Sequence, residues 1–299
     1  MTYIHPMTAR SLNSKMLGLW EDDNYVAEEK YDGARYLMHV GNGVNRFISR
    51  NRGADKSDRL PHIMNHYVHP LYEGTIIDGE VIAPNDDFGS VISIIGSLAA
   101  KALRWQEKNG FALYMAFDII QYKGNDVTML SYVERRRILK SFIECFDNDS
   151  VKLAPATKNK KALYDKIVAR GGEGVMLKNI HAPYTIGARS DAWLKVKKVI
   201  TVDAIIMKLV PGKGKYNKDE IGSILFGAYK NGVLTKWGTC GGMNDQMIQM
   251  LMANPEKYEG KQVIDIECNE IHKSGKLRHP RFLQLRNDKE AKDCEWGIA

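Results

Sequence analysis

The sequence changes character after Lys198, and this change constrains the fold more than any other feature. The segments that follow are a β-prone run, a loop rich in glycine and lysine, a second β-prone run and a hairpin dipeptide, at residues 199–210, 211–217, 224–229 and Asn231-Gly232. Asn-Gly between β-prone runs is typical of a tight β-hairpin. We therefore predict a domain boundary near residue 200, with domains at 1–199 and 200–299.

The two predicted domains differ in their balance of strands and helices. Residues 1–199 contain β-prone runs, such as 75–82 and 111–120, and a few helices. The clearest helix begins at the capping box Ser131-x-x-Glu134, and its apolar residues follow at helical spacing. The last hundred residues have the size of a small β-barrel, of which the OB-fold is the commonest nucleic-acid-binding example. The pattern predicts an α+β protein.

Charge and composition narrow the class of partner. The chain has 43 Lys and Arg against 36 Asp and Glu, a formal charge of +7, which favours a polyanionic partner. The longest uncharged apolar stretch, residues 88–100, is too short to span a membrane, and the N-terminus does not resemble a secretion signal. We expect a soluble, cytoplasmic protein with no membrane partner. The four cysteines and eight histidines have no metal-ligand spacing, which argues against a zinc module.

Lys30 is the first residue with the chemistry of a nucleophile. It lies in the segment Glu28-Glu-Lys-Tyr-Asp-Gly-Ala-Arg35. A lysine amine attacks only after it loses its proton, which burial or neighbouring cations favour. The glycine at position 33 lets a phosphate approach the backbone. Lys-x-Asp-Gly alone is short enough to arise by chance in a surface turn, so the rest of the sequence must decide.

Further short segments follow in the order and with the residue types of one family. The segment from Lys30 to Arg35 resembles motif I of the covalent nucleotidyltransferases, and among these the ATP-dependent DNA ligases. The later motifs of that family resemble, in chain order, Ser49-Arg50-Asn51, Ile77-Asp78-Gly79-Glu80-Val81, Ala116-Phe117-Asp118-Ile119, Glu173-Gly-Val-Met-Leu-Lys178, Trp193-Leu-Lys195-Val-Lys197 and Arg286-Asn-Asp288-Lys289. The resemblance covers nearly the whole chain, and its ordered occurrence is more specific than any one motif.

The resemblance implies both a fold and a reaction. The fold is an ATP-grasp-like nucleotidyltransferase domain of antiparallel sheets with helices, followed by a C-terminal OB-fold β-barrel. In the reaction, Lys30 takes AMP from ATP and passes it to the 5′-phosphate of a nick in duplex DNA. The 3′-hydroxyl then displaces AMP and seals the nick. Enzymes of this kind serve DNA replication, repair and recombination.

The resemblance also implies how the phosphates and the metal are held. Lys30 is the expected nucleophile, and Lys195 and Lys197 are expected to favour loss of its proton and to bind the phosphate. Glu80 and Glu173 are expected to share Mg²⁺ and the ribose hydroxyls, because Mg²⁺ is a hard ion that takes few carboxylates and several waters.

Other residues are expected to recognise the nucleoside and the nick. Phe117 is expected to stack on adenine, and Glu28 to mark the group that reads the edge of the base. Arg35 and Arg50 are expected to contact the ribose or the nick phosphate.

The second domain is expected to supply a mobile catalytic segment and a DNA contact. Arg286, Asp288 and Lys289 match the last family motif, which implies that the domain closes over ATP and that these residues orient the departing pyrophosphate. The loop 211–218 is the candidate for contacts with DNA phosphates, through Lys213, Lys215 and Lys218. A plain exposed hairpin loop is the equal alternative.

Simpler structural interpretations remain open for several of these residues. Asp78 and Glu80 alternate along a strand and could be two charges at its rim. Phe117 lies in an apolar run and could belong to the core. Glu173 could be a turn residue, and the lysines at 195–198 could form a solvated face. Alternation along a strand nevertheless places Lys195 and Lys197 on the same side, which favours a site.

The choice of nucleotide and the class of function also have alternatives. Only 29 residues precede Lys30, which leaves no room for a nicotinamide-recognition domain and favours ATP over NAD. No large helical DNA-binding domain is recognisable either, so we expect a monomer like the compact two-domain ligases of viruses and bacteriophages. An RNA ligase or a GTP-using mRNA capping enzyme is the alternative within the superfamily. A non-catalytic OB-containing nucleic-acid-binding protein is the alternative outside it.

Overall fold

The computed structural model describes residues 4–12, 18–41, 44–50, 53–198, 200–212, 220–272 and 274–296. The chain divides into two compact units, Met1–Lys197 and Lys198–Ala299. Both units contain strands and helices, so the predicted α+β class is confirmed.

The first unit contains eleven named strands and six named helices among its described residues. The strands are β1 Thr8–Ser11, β2 Tyr25–Glu29, β3 Ala34–His39, β4 Arg46–Ser49, β5 Ile76–Ile82, β6 Leu113–Tyr122, β7 Asn125–Asp126, β8 Val151–Leu153, β9 Ala156–Thr157, β10 Gly174–Asn179 and β11 Arg189–Lys197. The helices are α1 Gly18–Glu21, α2 Pro61–Met64, α3 Phe88–Ile95, α4 Ala99–Asn109, α5 Tyr132–Phe146 and α6 Lys160–Ala169. Short 3₁₀ turns occupy Ser57–Arg59 and Pro70–Tyr72.

The second unit also contains both strands and helices. Its strands are β12 Ile200–Pro211, β13 Ile221–Lys230, β14 Val233–Cys240, β15 Val263–Cys268, β16 Glu270–Ile271, β17 Leu277–Arg278 and β18 Arg281–Arg286. Its helices are α7 Asp245–Ala253 and α8 Pro255–Tyr258, and a 3₁₀ turn occupies Ala291–Asp293.

Two sheets form the framework of the first unit. The first sheet has the order β1-β11-β10-β2-β9, and the second has the order β4-β3-β5-β6-β7, with β8 paired to β6. Pairing is antiparallel except between β1 and β11 and between β6 and β8. Helices α1 and α6 contribute to a core with the first sheet, whereas α2, α3 and α5 contribute to a core with the second.

A third layer of side chains lies between the two sheets. Leu37, Ile76 and Ile120 from the second sheet pack in one cluster with Trp193 of the first sheet and with Tyr184. Because side chains alternate along a strand, every second residue of these central strands faces this layer. Side chains of the two sheets that belong to neither outer core therefore face each other in this layer.

Helix α5 has the capping box that the sequence predicts. The Ser131 side chain accepts a hydrogen bond from the Glu134 backbone, and the Glu134 side chain accepts one from the Ser131 backbone. The helix carries Arg135, which is fully buried and forms a two-pronged ion pair with Asp118 of β6 at 2.7 and 3.0 Å. Arg135 also donates to the Leu130 carbonyl. This pair fixes the first turn of α5 against the strand that carries Phe117.

The second unit forms the predicted β-barrel. Its main sheet has the order β14-β13-β12-β15-β18, with antiparallel pairing throughout. A parallel bridge between Gly241 and Arg281 joins the two edge strands, and the Phe282 N–H donates to the Gly241 carbonyl at 2.8 Å. The strand order and this closure are those of the OB-fold, with α7 between the third and fourth barrel strands.

Local sequence signals predicted some elements and missed others. Asn231 and Gly232 both adopt positive φ, at 53° and 76°, as the two-residue hairpin between β13 and β14 requires. Helix α7 is capped by Asn244, whose side chain accepts a hydrogen bond from the Met247 backbone N–H. Helices α4 and α6 were not predicted. Neither begins with a side-chain cap, and α6 is only weakly amphipathic, so their local signals are poor.

Among the residues that the structure describes, no helix combines the length and apolar composition needed to cross a membrane.

The buried pair between Arg135 and Asp118 generates a stability prediction. Replacing Arg135 by Ala leaves the Asp118 carboxylate buried without its partner, which we expect to cost about 3–5 kcal/mol of unfolding free energy. Urea unfolding followed by hydrogen–deuterium exchange of peptides from β6 measures this loss. The control is Lys140→Ala, which removes an exposed ion pair with Glu144 on the same helix and should cost under about 0.5 kcal/mol. Equal losses in both variants would contradict the prediction.

Candidate active site

The candidate site lies in the layer between the two sheets of the first unit and at its margin. From the first sheet, the residues on this face are Glu28, Lys178, Trp193, Lys195 and Lys197, while their strand neighbours Ala27, Leu177, Leu194 and Val196 pack in the outer core. From the second sheet, Arg35, Asp78, Glu80 and Phe117 belong to the same region. Most of the residues predicted for nucleotide binding therefore come together in the first unit.

Glu173 joins two of the predicted lysines. Its Oε2 atom accepts a hydrogen bond from Lys30 Nζ, and its Oε1 atom lies 2.6 Å from Lys197 Nζ. Burial by itself would raise the pKa of Glu173, but the ammonium groups of Lys30 and Lys197 outweigh it and hold this pKa below its ordinary value. Glu173 is therefore an ionised bridge rather than a plain turn residue.

Lys195 and Glu80 complete the charge cluster around Lys30. Burial lowers the pKa of Lys195, and the nearby positive charges of Lys197 and Lys30 lower it further. Burial raises the pKa of Glu80 to about 8, and the positive charge of Lys30 and two arginines only partly opposes this shift. Three ammonium groups and two carboxyl groups, of which Glu173 is the ionised one, thus share one half-buried region.

Arg35 is bound by Asp78 and lies close to two aromatic rings. Arg35 Nε and Nη2 donate to the two oxygens of Asp78 at 2.8 and 2.5 Å, and the Tyr184 hydroxyl donates to the same carboxylate at 2.6 Å. The guanidinium carbon lies 5.4 Å from the ring centres of both Phe117 and Trp193. Asp78 is fully buried, so the interpretation of Asp78 as a charge at the rim is wrong.

Glu28 lies in a buried network that the sequence did not predict. The carboxylate accepts a hydrogen bond from the Tyr132 hydroxyl, pairs with Lys178 at 2.7 Å and accepts one from Arg136 at 3.2 Å. Lys178 Nζ also donates to the Phe117 carbonyl at 2.9 Å. Three donors therefore occupy the Glu28 carboxylate, and its position two residues before Lys30 is fixed from β10 and from α5.

Phe117 has cations around its ring. Lys178 Nζ lies 4.6 Å from the ring centre, opposite in charge to the electron-rich π face, and Trp193 packs edge-to-face at 5.7 Å. Phe117 is partly buried in this cluster and is not a member of either outer core. Its ring is accordingly held at the margin of the layer between the sheets.

Two glycines are required by close backbone approaches. Gly174 has φ of +133°, and a Cβ atom on it would lie 2.1 Å from the Val196 carbonyl oxygen. The Gly174 carbonyl accepts the Lys30 backbone N–H at 2.9 Å, so this approach positions Lys30. A Cβ atom on Gly33 would lie 2.4 Å from the Val81 carbonyl oxygen. Gly33 therefore makes room for strand β5, a constraint that sequence reasoning had attributed to a phosphate.

The remaining predicted residues lie at the edge of this cluster, in the second unit or outside the described residues. Arg50 follows β4, is exposed, and is close enough to Glu80 to act on its pKa. Arg286, Asp288 and Lys289 belong to the second unit, where they pair among themselves and with acidic side chains of the barrel. The predicted DNA-binding lysines, Lys213, Lys215 and Lys218, lie outside the described residues.

Some residues of the site were missed by sequence reasoning. They are Lys178, Tyr132, Arg136, Tyr184 and Trp193. Lys178 and Trp193 stood inside quoted motifs, so a buried cation and an aromatic partner were available signals. Tyr132, Arg136 and Tyr184 stood outside every motif, and only the packing of α5 and of the segment before β11 brings them to the site.

The acidic side chains near Lys30 have the chemistry of a hard-metal site. Glu80 and Glu173 supply carboxylate oxygens, the ligand type that Mg²⁺ prefers, and Mg²⁺ needs only one or two of them beside phosphate and water. Among the described residues, no group of three or more His, Cys, Asp or Glu side chains is arranged to hold a metal ion.

Taken together, a lysine bound to a carboxylate beside further cations, in a two-sheet unit followed by an OB-fold, defines a nucleotidyltransferase type of site. The family model described as ATP dependent DNA ligase domain matches residues 6–197. The chain belongs to the ATP-dependent DNA ligase domain family.

Individual relatives agree with this membership. A DNA ligase of Methanocorpusculum labreanum is 30% identical over 292 residues, which cover 90% of this chain and 53% of the relative. The chain spans about half the length of the curated relatives it matches.

Solved structures share the fold at low sequence identity. A structure from a study of Lig E DNA ligases is 22% identical, covers 95% of this chain and 100% of that chain, and has a TM-score of 0.62. The ATP-dependent DNA ligase of bacteriophage T7, solved in complex with ATP, is 20% identical and covers 94% of this chain and 98% of that chain, with a TM-score of 0.54.

The pair of Glu28 and Lys178 generates a second stability prediction. Both side chains are at most 2% exposed, so Glu28→Gln or Lys178→Met alone leaves a buried charge without its main partner. We expect each single change to cost about 3–5 kcal/mol of unfolding free energy. The double variant should cost less than the sum of the two, by about 0.5–3 kcal/mol. Hydrogen–deuterium exchange of β10 peptides in urea measures the unfolding free energy of the wild type, the two single variants and the double variant. Additive losses would show that the two residues do not act as a pair.

Proposed function

We propose that this protein is an ATP-dependent DNA ligase that seals nicks in duplex DNA through a covalent lysyl-AMP intermediate and a DNA-adenylate. The observation that carries the proposal is the placement of Lys30 in contact with Glu173 and close to Lys195 and Lys197. The ordered motifs and the membership in the ligase domain family support it. In this proposal residues 1–199 perform adenylation and residues 200–299 form the accompanying OB-fold domain.

The first step is attack of the Lys30 nitrogen on the α-phosphorus of ATP. A P–N bond forms, the P–O bond to the β-phosphate breaks, and pyrophosphate leaves with the bonding electrons. The protons that the nitrogen loses pass to solvent or to the departing pyrophosphate. The neighbouring Lys195 and Lys197 act electrostatically on the phosphate oxygens, where negative charge accumulates. The backbone bond from Lys30 to Gly174 fixes the nucleophile for this attack.

Glu173 has two states in this scheme. Before the reaction it binds the Lys30 ammonium group and the Lys197 ammonium group with different oxygens. Adenylation removes the positive charge of Lys30, because a phosphoramidate nitrogen is neutral, and the Oε2 atom then loses its ionic partner. Glu80 and Glu173 are the residues that would hold Mg²⁺, which when bound neutralises phosphate oxygens.

The nucleoside is bound at the margin of the layer between the sheets. Phe117 is the proposed stacking surface for adenine, and Glu28, one residue before the end of β2, is proposed to mark the group that reads the edge of the base. Arg35 and Arg50 are proposed to contact the ribose or the nick phosphate, with Arg35 held in place by Asp78. Lys213, Lys215 and Lys218 are proposed to contact DNA phosphates without reading sequence.

An adenylation and sealing assay tests the proposal. The protein is incubated with Mg²⁺ and α-labelled ATP or GTP, and is then offered duplexes with a nick in DNA or in RNA. We expect label on the protein with ATP and sealing of nicked DNA. Label from GTP would favour a capping enzyme, sealing confined to RNA would favour an RNA ligase, and absence of label would leave only a nucleic-acid-binding protein.

The variant Lys30→Arg tests whether the reaction needs a covalent bond to residue 30 or only a positive charge there. A guanidinium group stays protonated, so the variant keeps the positive charge beside Glu173 but cannot form the adenylate. We expect no AMP adduct in an intact mass spectrum and unchanged affinity for nicked duplex by fluorescence anisotropy. A gain in mass equal to one AMP would refute the assignment of the nucleophile.

The last family motif generates a step-selective prediction. Lys289→Ala and Asp288→Ala should each slow protein adenylation by about 10² to 10³, because charge develops on pyrophosphate only in that step. Sealing of a nick that already carries AMP on its 5′-phosphate should remain, since no pyrophosphate is then present. Single-turnover rates of the two reactions measure this. Lys292→Ala, an exposed lysine of the same C-terminal segment, is the control and should change neither rate. Equal losses in both reactions would assign these residues to the fold or to DNA binding.

A further inference from the structure

The cations of the last motif are bound to acidic residues of the barrel itself. Lys289 Nζ donates to Asp203 Oδ2, and Arg286 Nη1 lies 3.1 Å from Asp203 Oδ1. The same Arg286 nitrogen lies 3.1 Å from Asp265 Oδ1, and the other side of the guanidinium group binds Asp288 in two bonds of 2.7 Å. Asp203 is thus the one described carboxylate that binds both Lys289 and Arg286.

The strand pairing that creates this cluster is unfavourable without the cations. Asp203 on β12 and Asp265 on β15 are register partners, directly opposite each other on neighbouring strands. Like charges in such a pair repel. Arg286 on the adjacent strand β18 places one guanidinium nitrogen at equal distance from the two carboxylates and offsets this repulsion. Gln284 binds the second oxygen of Asp265 at 2.6 Å. The carboxylates therefore have a defined orientation.

Stability alone does not account for the Lys289 contact. The Lys289 side chain is 35% exposed and Asp203 is 23% exposed, and ion pairs near the surface contribute little to folding. What the contact does provide is orientation. A free lysine side chain is long and flexible, whereas a lysine side chain bound to a carboxylate on a barrel strand has a defined direction. The Asp203 side chain also raises the pKa of Lys289, which keeps its nitrogen cationic.

We propose that Asp203 is a positioning residue, which holds Lys289 and Arg286 in the orientation needed for the pyrophosphate that departs when Lys30 is adenylated. The inference rests on the proposed function. Asp203 does not contact the nucleotide in this scheme and acts only through the two cations. Its neighbouring residues along the strand, Val202 and Ala204, pack in the barrel core, which makes β12 a rigid support for the carboxylate.

The test compares two rates in Asp203→Asn, which keeps the shape of the side chain and removes its charge. We expect protein adenylation with ATP to slow about 10- to 100-fold, because a misplaced cation loses most of its effect on the leaving group. Sealing of a pre-adenylated nick should stay within about twofold of the wild-type rate, which also shows that the variant is folded. The control is Asp245→Asn, an exposed aspartate in the first turn of α7, which should change neither rate.

The same change in a Lys289→Ala background shows whether Asp203 acts through that lysine. We expect the additional loss caused by Asp203→Asn to be several-fold smaller there than in the wild-type background. An equal loss in both backgrounds, normal adenylation by Asp203→Asn, or equal slowing of both reactions would each overturn the positioning role. Failure of the wild-type protein to adenylate Lys30 would instead overturn the proposed function, so the two failures are distinguishable.

Discussion

Burial of charge between the two sheets of the first unit is the constraint on which the rest of that unit depends. A charged group removed from water is tolerated only when it is paired and hydrogen-bonded. Arg35 meets this condition with Asp78, and Lys178 meets it with Glu28. Each pair joins residues from different strands, so strands that are distant in sequence must adopt one register. The arrangement that satisfies the charges also brings Lys30 and its neighbours together.

The buried charge pairs support the site through successive contacts. Asp118 and Arg135 fix α5 against β6, and α5 then supplies Tyr132 and Arg136 to Glu28. Glu28 lies only two residues before Lys30, and the Lys30 backbone N–H donates to the Gly174 carbonyl. Lys30 is consequently held by a series of contacts that begins in the fully buried core. A partly exposed lysine at the end of a strand would otherwise sample many orientations.

The second unit applies the same principle at a surface. Its barrel strands hold Asp203 and Asp265 opposite each other, and Arg286 and Lys289 bind them. In the first unit the charge pairs are buried and contribute to the fold. In the second the pairs of Asp203 are partly exposed and contribute little to stability, and we propose that they orient the cations.

Sequence alone determined the elements with strong local signals and the residues with fixed chemistry. The capping box at Ser131, the Asn231-Gly232 turn and the alternation of Lys195 and Lys197 are local, because each depends on residues within one turn or one strand. Ordered motifs likewise identified Lys30, Glu80 and Glu173 as neighbours before any contact was known.

Tertiary structure decided which partner each charged residue has. No local rule pairs Glu28 with Arg136, 108 residues away, or Asp203 with Lys289, 86 residues away. The structure also reassigned Gly33 from a phosphate contact to a close approach of β5, and Asp78 from the rim to a buried support for Arg35. Such contacts depend on how sheets and barrel strands pack across long sequence separations. Local patterns record which residue types are present, whereas burial and strand register decide what those residues bind.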